Sequence, residues 1–210
     1  MRTLTILPVK SFGRAKQRLQ GGLDPELREL LAEAMFRDVL DALKATEEVD
    51  AVVVVTAGEI ASAIAREHAV RVLNDREQGH NAAATIGIEA ALEDGYERAL
   101  LVPGDCPALD PEELDVLLAR PVAPPSALIV PDRHGTGTNA LLLTPPGALA
   151  PSFGPGSRER HAELAHAAGT HAEVVEVPSL ALDVDTPEDL AALVAASDRA
   201  LRTQVLLSRC

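Results

Sequence analysis

The run Ala51-Val52-Val53-Val54-Val55-Thr56 offers apolar side chains to both faces of an extended segment. A sheet with one wet face alternates polar and apolar residues, so an unbroken run belongs to a strand covered on both sides. That is the condition of a parallel sheet flanked by helices. Further strands are read at residues 3–9, 70–73, 98–103, 127–131, 139–144 and 172–177. Helical periodicity fills the gaps. Asp24 caps a helix whose first position is Pro25, and Leu27, Leu30, Leu31, Ala34, Met35 and Val39 recur at three- and four-residue steps to about residue 44. Helices are also expected at 59–67, 81–94, 111–120, 157–168 and 186–196, the last opened by Thr186 with Asp189 three residues on. The last fourteen residues extend or follow it. The alternation predicts an α/β fold, a mostly parallel sheet with helices on both faces. A short loop between the strands near 128 and 141 adds an antiparallel element. No repeat or linker divides residues 1–210, so one domain is expected.

In such folds ligands bind beside the carboxyl ends of the strands. The chain carries a formal net charge of −13, yet residues 1–20 hold five basic side chains (Arg2, Lys10, Arg14, Lys16, Arg18) and no acid, so the other 190 residues sum to −18. A chain this acidic repels a nucleic-acid backbone, which argues against a nucleic-acid partner. A concentrated basic segment suits a small anionic ligand, although a solvated basic loop would have the same composition. Aromatics are 2% of the chain with no Trp, which excludes a base-stacking platform. No apolar run is long enough to span a bilayer, the first ten residues have no leader pattern, and two cysteines cannot make a disulfide framework. A cytoplasmic protein without a membrane partner is expected. A homodimer is compatible with the sequence and undecided by it.

Four loops after strands can carry chemistry. The first, from Pro8 through Lys10, Gly13, Arg14, Lys16 and Arg18, can cradle a polyphosphate, with Lys as point charges and Arg as forked donors. It is not a Walker A sequence. The second places Asp105 in Gly104-Asp105-Cys106-Pro107, and the third places Asp183 and Asp185 two apart in an extended stretch, hence on one face. Three carboxylates at two strand ends suit a hard divalent cation bridging phosphate oxygens, Mg²⁺ with Mn²⁺ as a substitute. The bland readings are a turn-forming Asp105 and an Asp185 that supports the Thr186 cap. The fourth comprises 133–139 and 153–158, where Gly154 to Ser157 precede a helix that favours an anion at its N-terminus. Ser157 is equally an ordinary N-cap. Gly135 to Ala140 match a dinucleotide fingerprint in letters, but they open a strand and not a helix. His161, His166 and His171 share no helix face and are expected at the surface, and Cys106 is expected to serve packing.

Together these segments resemble one family, the 2-phospho-L-lactate/phosphoenolpyruvate guanylyltransferases of coenzyme F-420 biosynthesis. The matching pieces are Pro8-Val9-Lys10, Ala15-Lys16-Gln17-Arg18-Leu19, Asn81-Ala82, Gly104-Asp105-Cys106-Pro107, residues 132–139, Phe153-Gly154-Pro155-Gly156-Ser157 and Asp183-Val184-Asp185-Thr186-Pro187. The resemblance runs from residue 3 to about 195. It implies a nucleotide-diphosphosugar-transferase (Rossmann-like) fold and transfer of GMP from GTP to a small phosphorylated three-carbon acid, with release of pyrophosphate. It implies that Thr138, Gly154 and Ser157 hold the acceptor, and that Asp105, Asp183 and Asp185 hold Mg²⁺. Lys10, Lys16 and Asp105 would serve the reacting phosphates, and Arg14, Arg18 and Asn81 the nucleotide. The Ala-rich, Arg-over-Lys composition is similar to that of bacterial members, which points to phosphoenolpyruvate, with 2-phospho-L-lactate as the alternative. Gly-Asp-Cys-Pro alone also suits sugar-phosphate or molybdopterin nucleotidyltransferases. A non-catalytic nucleotide-binding regulator is the reading from a different class.

Overall fold

The computed structural model describes residues 1–14, 19, 24–76, 78–196 and 199–208. Lys16 and Arg18 lie outside the described residues, and of Arg14 only the backbone is described. Seven strands form one sheet: β1 (Thr3–Pro8), β2 (Ala51–Thr56), β3 (Arg71–Asn74), β4 (Arg98–Leu101), β5 (Ser126–Pro131), β6 (Thr138–Thr144) and β7 (His171–Val174). Their order is β3-β2-β1-β4-β6-β5-β7. Six run parallel, and β6 alone is reversed against its neighbours β4 and β5.

The Val run behaves as its composition requires. Val54 packs with Leu7, Leu100, Leu128 and Leu142 on one face, beneath α1 (Pro25–Ala45), α2 (Glu59–Glu67) and α4 (Pro111–Leu118). Val53 and Val55 pack with Ile6, Leu101, Ile129 and Leu141 on the other, beneath α3 (His80–Glu93) and α5 (Ser157–Ala167). Successive residues of a strand therefore feed two separate cores. Helix α3 lies close on β1 because Gly87 faces Ile6. A Cβ at Gly87 would come within 3.0 Å of Ile6 Cγ1 and nearer still to Cγ2.

The caps follow local chemistry. Leu27 N donates to Asp24 Oδ1 at 2.8 Å, Pro111 opens α4 behind Asp110, and Thr186 with Asp189 form a reciprocal box ahead of α7 (Pro187–Ala196). The α1 stripe is rotated from its expected centre. Leu30 is 45% exposed, while Ala32, Phe36, Leu40 and Leu43 join Leu31, Met35 and Val39 in the core, because α1 is covered by other helices as well as by the sheet. The tail adds α6 (Pro178–Ala181) and α8 (Leu201–Leu207). Helix α8 is anchored to α1 by Asp38, whose carboxylate accepts from Arg202 N, Thr203 N and Thr203 Oγ1. Among the described residues no helix is long and apolar enough to cross a membrane.

Candidate active site

The chain turns away from β1 in opposite senses, to β2 on one side and β4 on the other, so a crevice opens between the carboxyl ends of β1 and β4. A cavity of about 280 Å³ lies there. Pro8 reaches it from the end of β1, Val9, Lys10 and Phe12 from the segment that follows, and Pro103, Gly104 and Asp105 from the segment after β4. Asp185 and His80 complete its polar lining, with Ala32 and Met35 on the apolar side. Lys10 is exposed, while Phe12 is buried against Phe36 with ring centres 5.8 Å apart. Gly104 lets the loop pass beside Phe36 and Val9, where a Cβ would stand 3.3 Å from each.

The three candidate metal ligands are drawn to one edge of the sheet. Val184 N donates to Asp105 O at 3.0 Å, which ties the 183–185 segment to the Asp105 loop. Burial raises the Asp183 pKa first, and the neighbouring charges of Asp105 and Asp185 raise it further, against a lowering bond from Asn139 Nδ2 at 3.1 Å. The same Asn139 amide donates to Leu180 O at 2.8 Å, so β6 holds the Asp183 loop from behind. Asp105 and Asp185 line the cavity and Asp183 does not. Among the described residues no three Asp, Glu, His or Cys side chains form a ready ligand group. The three carboxylates are thus neighbours at the two segment ends, with Asp105 and Asp185 facing the cavity. They are crowded enough to repel, and Asn139 satisfies one acceptor position on Asp183 Oδ1. Hard oxygen donors with surplus negative charge fit a cation that Mg²⁺ chemistry completes with water and phosphate oxygens.

The reversal of β6 decides the second half of the site. It puts Thr138, the first residue of β6, at the edge where the parallel strands end. The backbone there is shaped by glycine: a Cβ at Gly137 would sit 2.5 Å from Asp132 Oδ2, and Gly135 has φ 69°. Arg158 N donates to Thr136 O at 3.2 Å, which brings the start of α5 against this loop. Gly154 and Gly156 turn the chain into α5 with φ of 121° and 71°. Gly156 is the N-cap and Ser157 the first helical residue, so Ser157 is not the cap it could have been. Its side chain is buried, 1% exposed.

Asn81 serves this loop. Phe153 N donates to Asn81 Oδ1 at 2.7 Å, and Asn81 Nδ2 donates back to Phe153 O at 3.2 Å. Its amide is thus engaged by main chain, a holding role that the sequence did not indicate. The Phe153 ring meets His80 edge-on at 5.0 Å and His161 at 5.1 Å. Arg160 fastens the loop through Ser152 Oγ at 3.2 Å, Ser152 O at 3.0 Å and Pro155 O.

Two histidines were missed. His161, expected at the surface, is fully buried and bonded through both ring nitrogens, to Thr138 Oγ1 at 3.0 Å and Ser152 N at 2.9 Å. Burial, with the Arg160 charge adding, lowers its pKa to about 4. The signal available was its spacing, four residues after Ser157 and so on the same helix face. His80 lines the cavity, and burial lowers its pKa despite the raising effect of Asp105. His166 and His171 are exposed as expected. Cys106 is buried with its Sγ 3.5 Å from Leu180 O, in keeping with packing.

The cavity lies at the carboxyl ends of β1 and β4, and the start of β6 packs against the 152–157 loop through His161. Comparison with known proteins gives the chain a family. A phosphoenolpyruvate guanylyltransferase of Conexibacter woesei is 51% identical over 195 residues, covering 92% of this chain and 87% of that protein. A 3-phospho-D-glycerate guanylyltransferase of Colwellia psychrerythraea is 36% identical over 192 residues, covering 90% of each. A solved structure from Desulfovibrio desulfuricans G20, described as a nucleotide-diphospho-sugar transferase, superimposes with a TM-score of 0.76 at 16% identity. It covers 100% of this chain and 95% of that one, and supports the fold alone. The model of the family described as "Guanylyl transferase CofC like" matches residues 3–205, and the chain belongs to that family.

Proposed function

We propose that this chain transfers GMP from GTP to phosphoenolpyruvate, releasing pyrophosphate and giving enolpyruvoyl-2-diphospho-5'-guanosine, a step of coenzyme F-420 biosynthesis. The observation that carries this reading is the meeting of Lys10, Asp105 and Asp185 around one cavity at the strand switch. Thr138 precedes Asn139, whose amide bonds Asp183 in the segment that carries Asp185. The 51% identical relative supports the acceptor.

The chemistry asks little of the protein beyond charge and alignment. An acceptor phosphate is ionised at neutral pH and needs no general base, so the barrier is repulsion between two anions. Lys10, with Lys16, Arg14 and Arg18 of the basic segment, offsets charge on the triphosphate. Thr138, Gly154 and Ser157 hold the acceptor's oxygens and fix the direction of attack on the α-phosphorus of GTP. Asp105 and Asp185, backed by Asp183, would hold Mg²⁺, which when bound screens the phosphate oxygens and the leaving pyrophosphate. Asn81 keeps the acceptor loop against α3.

Phosphoenolpyruvate, 2-phospho-L-lactate and 3-phospho-D-glycerate all present a phosphate and a carboxylate, so residues that grip anions discriminate weakly among them. The choice rests on shape, worth about 1–3 kcal/mol per small group. Equal concentrations of the three acceptors with GTP and Mg²⁺, the products resolved by mass, test the reading. The phosphoenolpyruvate adduct should predominate. Predominance of another adduct overturns the acceptor and keeps the reaction class, and no pyrophosphate with any acceptor favours the non-catalytic regulator.

A further inference from the structure

Ser152, His161 and Thr138 form a chain of hydrogen bonds whose direction can be worked out. A backbone N–H is only a donor, so Ser152 N, 2.9 Å from His161 Nε2, requires a bare lone pair on that nitrogen. Ser152 is itself held by Arg160 through its hydroxyl and carbonyl, and the next residue is held by Asn81 through both main-chain groups. The N–H is thus fixed by its surroundings, and the ring conforms to it. The imidazole is fully buried, and its lowered proton affinity keeps it neutral at physiological pH. A neutral ring carries one proton, and with Nε2 bare that proton is on Nδ1. It is therefore Nδ1–H that donates to Thr138 Oγ1 at 3.0 Å.

We infer that His161 is a positioning residue that orients the Thr138 hydroxyl as a hydrogen-bond donor toward an oxyanion of the phosphorylated acceptor. This rests on the reading that Thr138 holds the acceptor. A hydroxyl that accepts from the ring turns its own proton away from it, so Thr138 presents a proton to the ligand. A phosphate or carboxylate oxygen, which only accepts, is the matching group. His161 lies one turn beyond Ser157 on the same face of α5, and both are buried. The ring thereby ties three segments together: the start of β6, the 152–156 loop and α5. A surface histidine, or one with Nε2 protonated, would leave the Thr138 proton free to turn to the ring and present a lone pair to an anion.

Two measurements test this. Long-range ¹H–¹⁵N correlation on the ¹⁵N-histidine-labelled wild-type protein at pH 7 should show His161 as the neutral Nδ1–H tautomer. An Nε2–H tautomer or an imidazolium overturns the inference, and this measurement needs no variant to fold. Kinetics on Thr138→Val, His161→Phe and the double variant supply the second. Thr138→Val should raise the acceptor KM roughly tenfold or more, the range of one lost charge-assisted hydrogen bond, with the GTP KM unchanged. His161→Phe should raise the acceptor KM comparably, and the double variant no further than Thr138→Val alone. Additive effects in the double variant, or a His161→Phe effect shared equally by GTP, overturn the positioning role and keep Thr138 in the acceptor site. An unchanged acceptor KM in Thr138→Val instead removes the underlying reading.

Discussion

Lys10 follows β1 directly and stands exposed at the lining of the cavity, where the chain's few early positive charges face its surplus of acid. If it meets a phosphate there, Lys10→Ala removes a charge-assisted hydrogen bond of about 1.5–3 kcal/mol. kcat/KM for GTP should then fall roughly tenfold to over a hundredfold at low salt. A wild-type value would return the basic segment to a solvated surface. Asp105 is the second residue with a sharp expectation. Asp105→Asn keeps the size of the side chain and deletes a negative charge, so turnover should fall on the order of a hundredfold or more while Tm moves only a few degrees. Chelation should abolish wild-type activity, and added Mg²⁺ should restore it. Full turnover in the variant, or indifference to chelator, would remove the carboxylates from the mechanism. Both residues could be nominated from the sequence, because residue type and position after a strand suffice for that.

Helix α3 illustrates what an element contributes. Its small residues Ala83, Ala84 and Gly87 face the sheet, and the bare Cα of Gly87 lets the helix settle onto Ile6. Ile6 is fully buried and β-branched, so it has no rotamer to escape into. Gly87→Ala should therefore destabilise the protein by about 1–3 kcal/mol despite alanine's better helix propensity. A lower urea midpoint with an unchanged m-value would show it, and a raised midpoint would contradict the packing. The same helix starts with His80 and Asn81, which hold the Phe153 loop. An outward shift of α3 would also be read in the acceptor KM. Periodicity gave the extent of this helix to within a residue. It could not reveal that the Asn81 amide is spent on main chain, since that contact lies 72 positions away in sequence.

At the scale of the whole molecule, the neutral His161 links stability to pH. The unfolded ring takes up a proton near 6.5 and the folded ring only at about 4, so between those values the unfolded chain binds more protons and stability falls as pH falls. The loss is on the order of 3 kcal/mol across that window. Protonation would set an Nε2–H against the Ser152 N–H and loosen the acceptor loop. The stability gap between wild type and His161→Phe should thus narrow from pH 7 to pH 4.5 in urea titrations. A gap constant with pH would mean that the ring is not held neutral.

What sequence alone determined here is whatever has a local cause. Burial on two faces shows in the Val run, caps show in Asp24-Pro25 and Thr186 with Asp189, and basic or acidic loops show in their own letters. The fold class, nearly every element and the resemblance to a guanylyltransferase family followed from such signals. Tertiary structure alone decided what depends on contacts distant along the chain. The antiparallel β5–β6 pair was legible in its short loop, but the insertion of β6 between β4 and β5, which brings Thr138 to the edge where the parallel strands end, was not. Asn139 ties Asp183 to β6 across 44 positions of sequence, and burial turns His161 from a nominal surface residue into a neutral ring with a defined tautomer. A histidine's letter is the same in water and in a core. Only the groups packed around it fix its proton, and those groups are brought together by the fold.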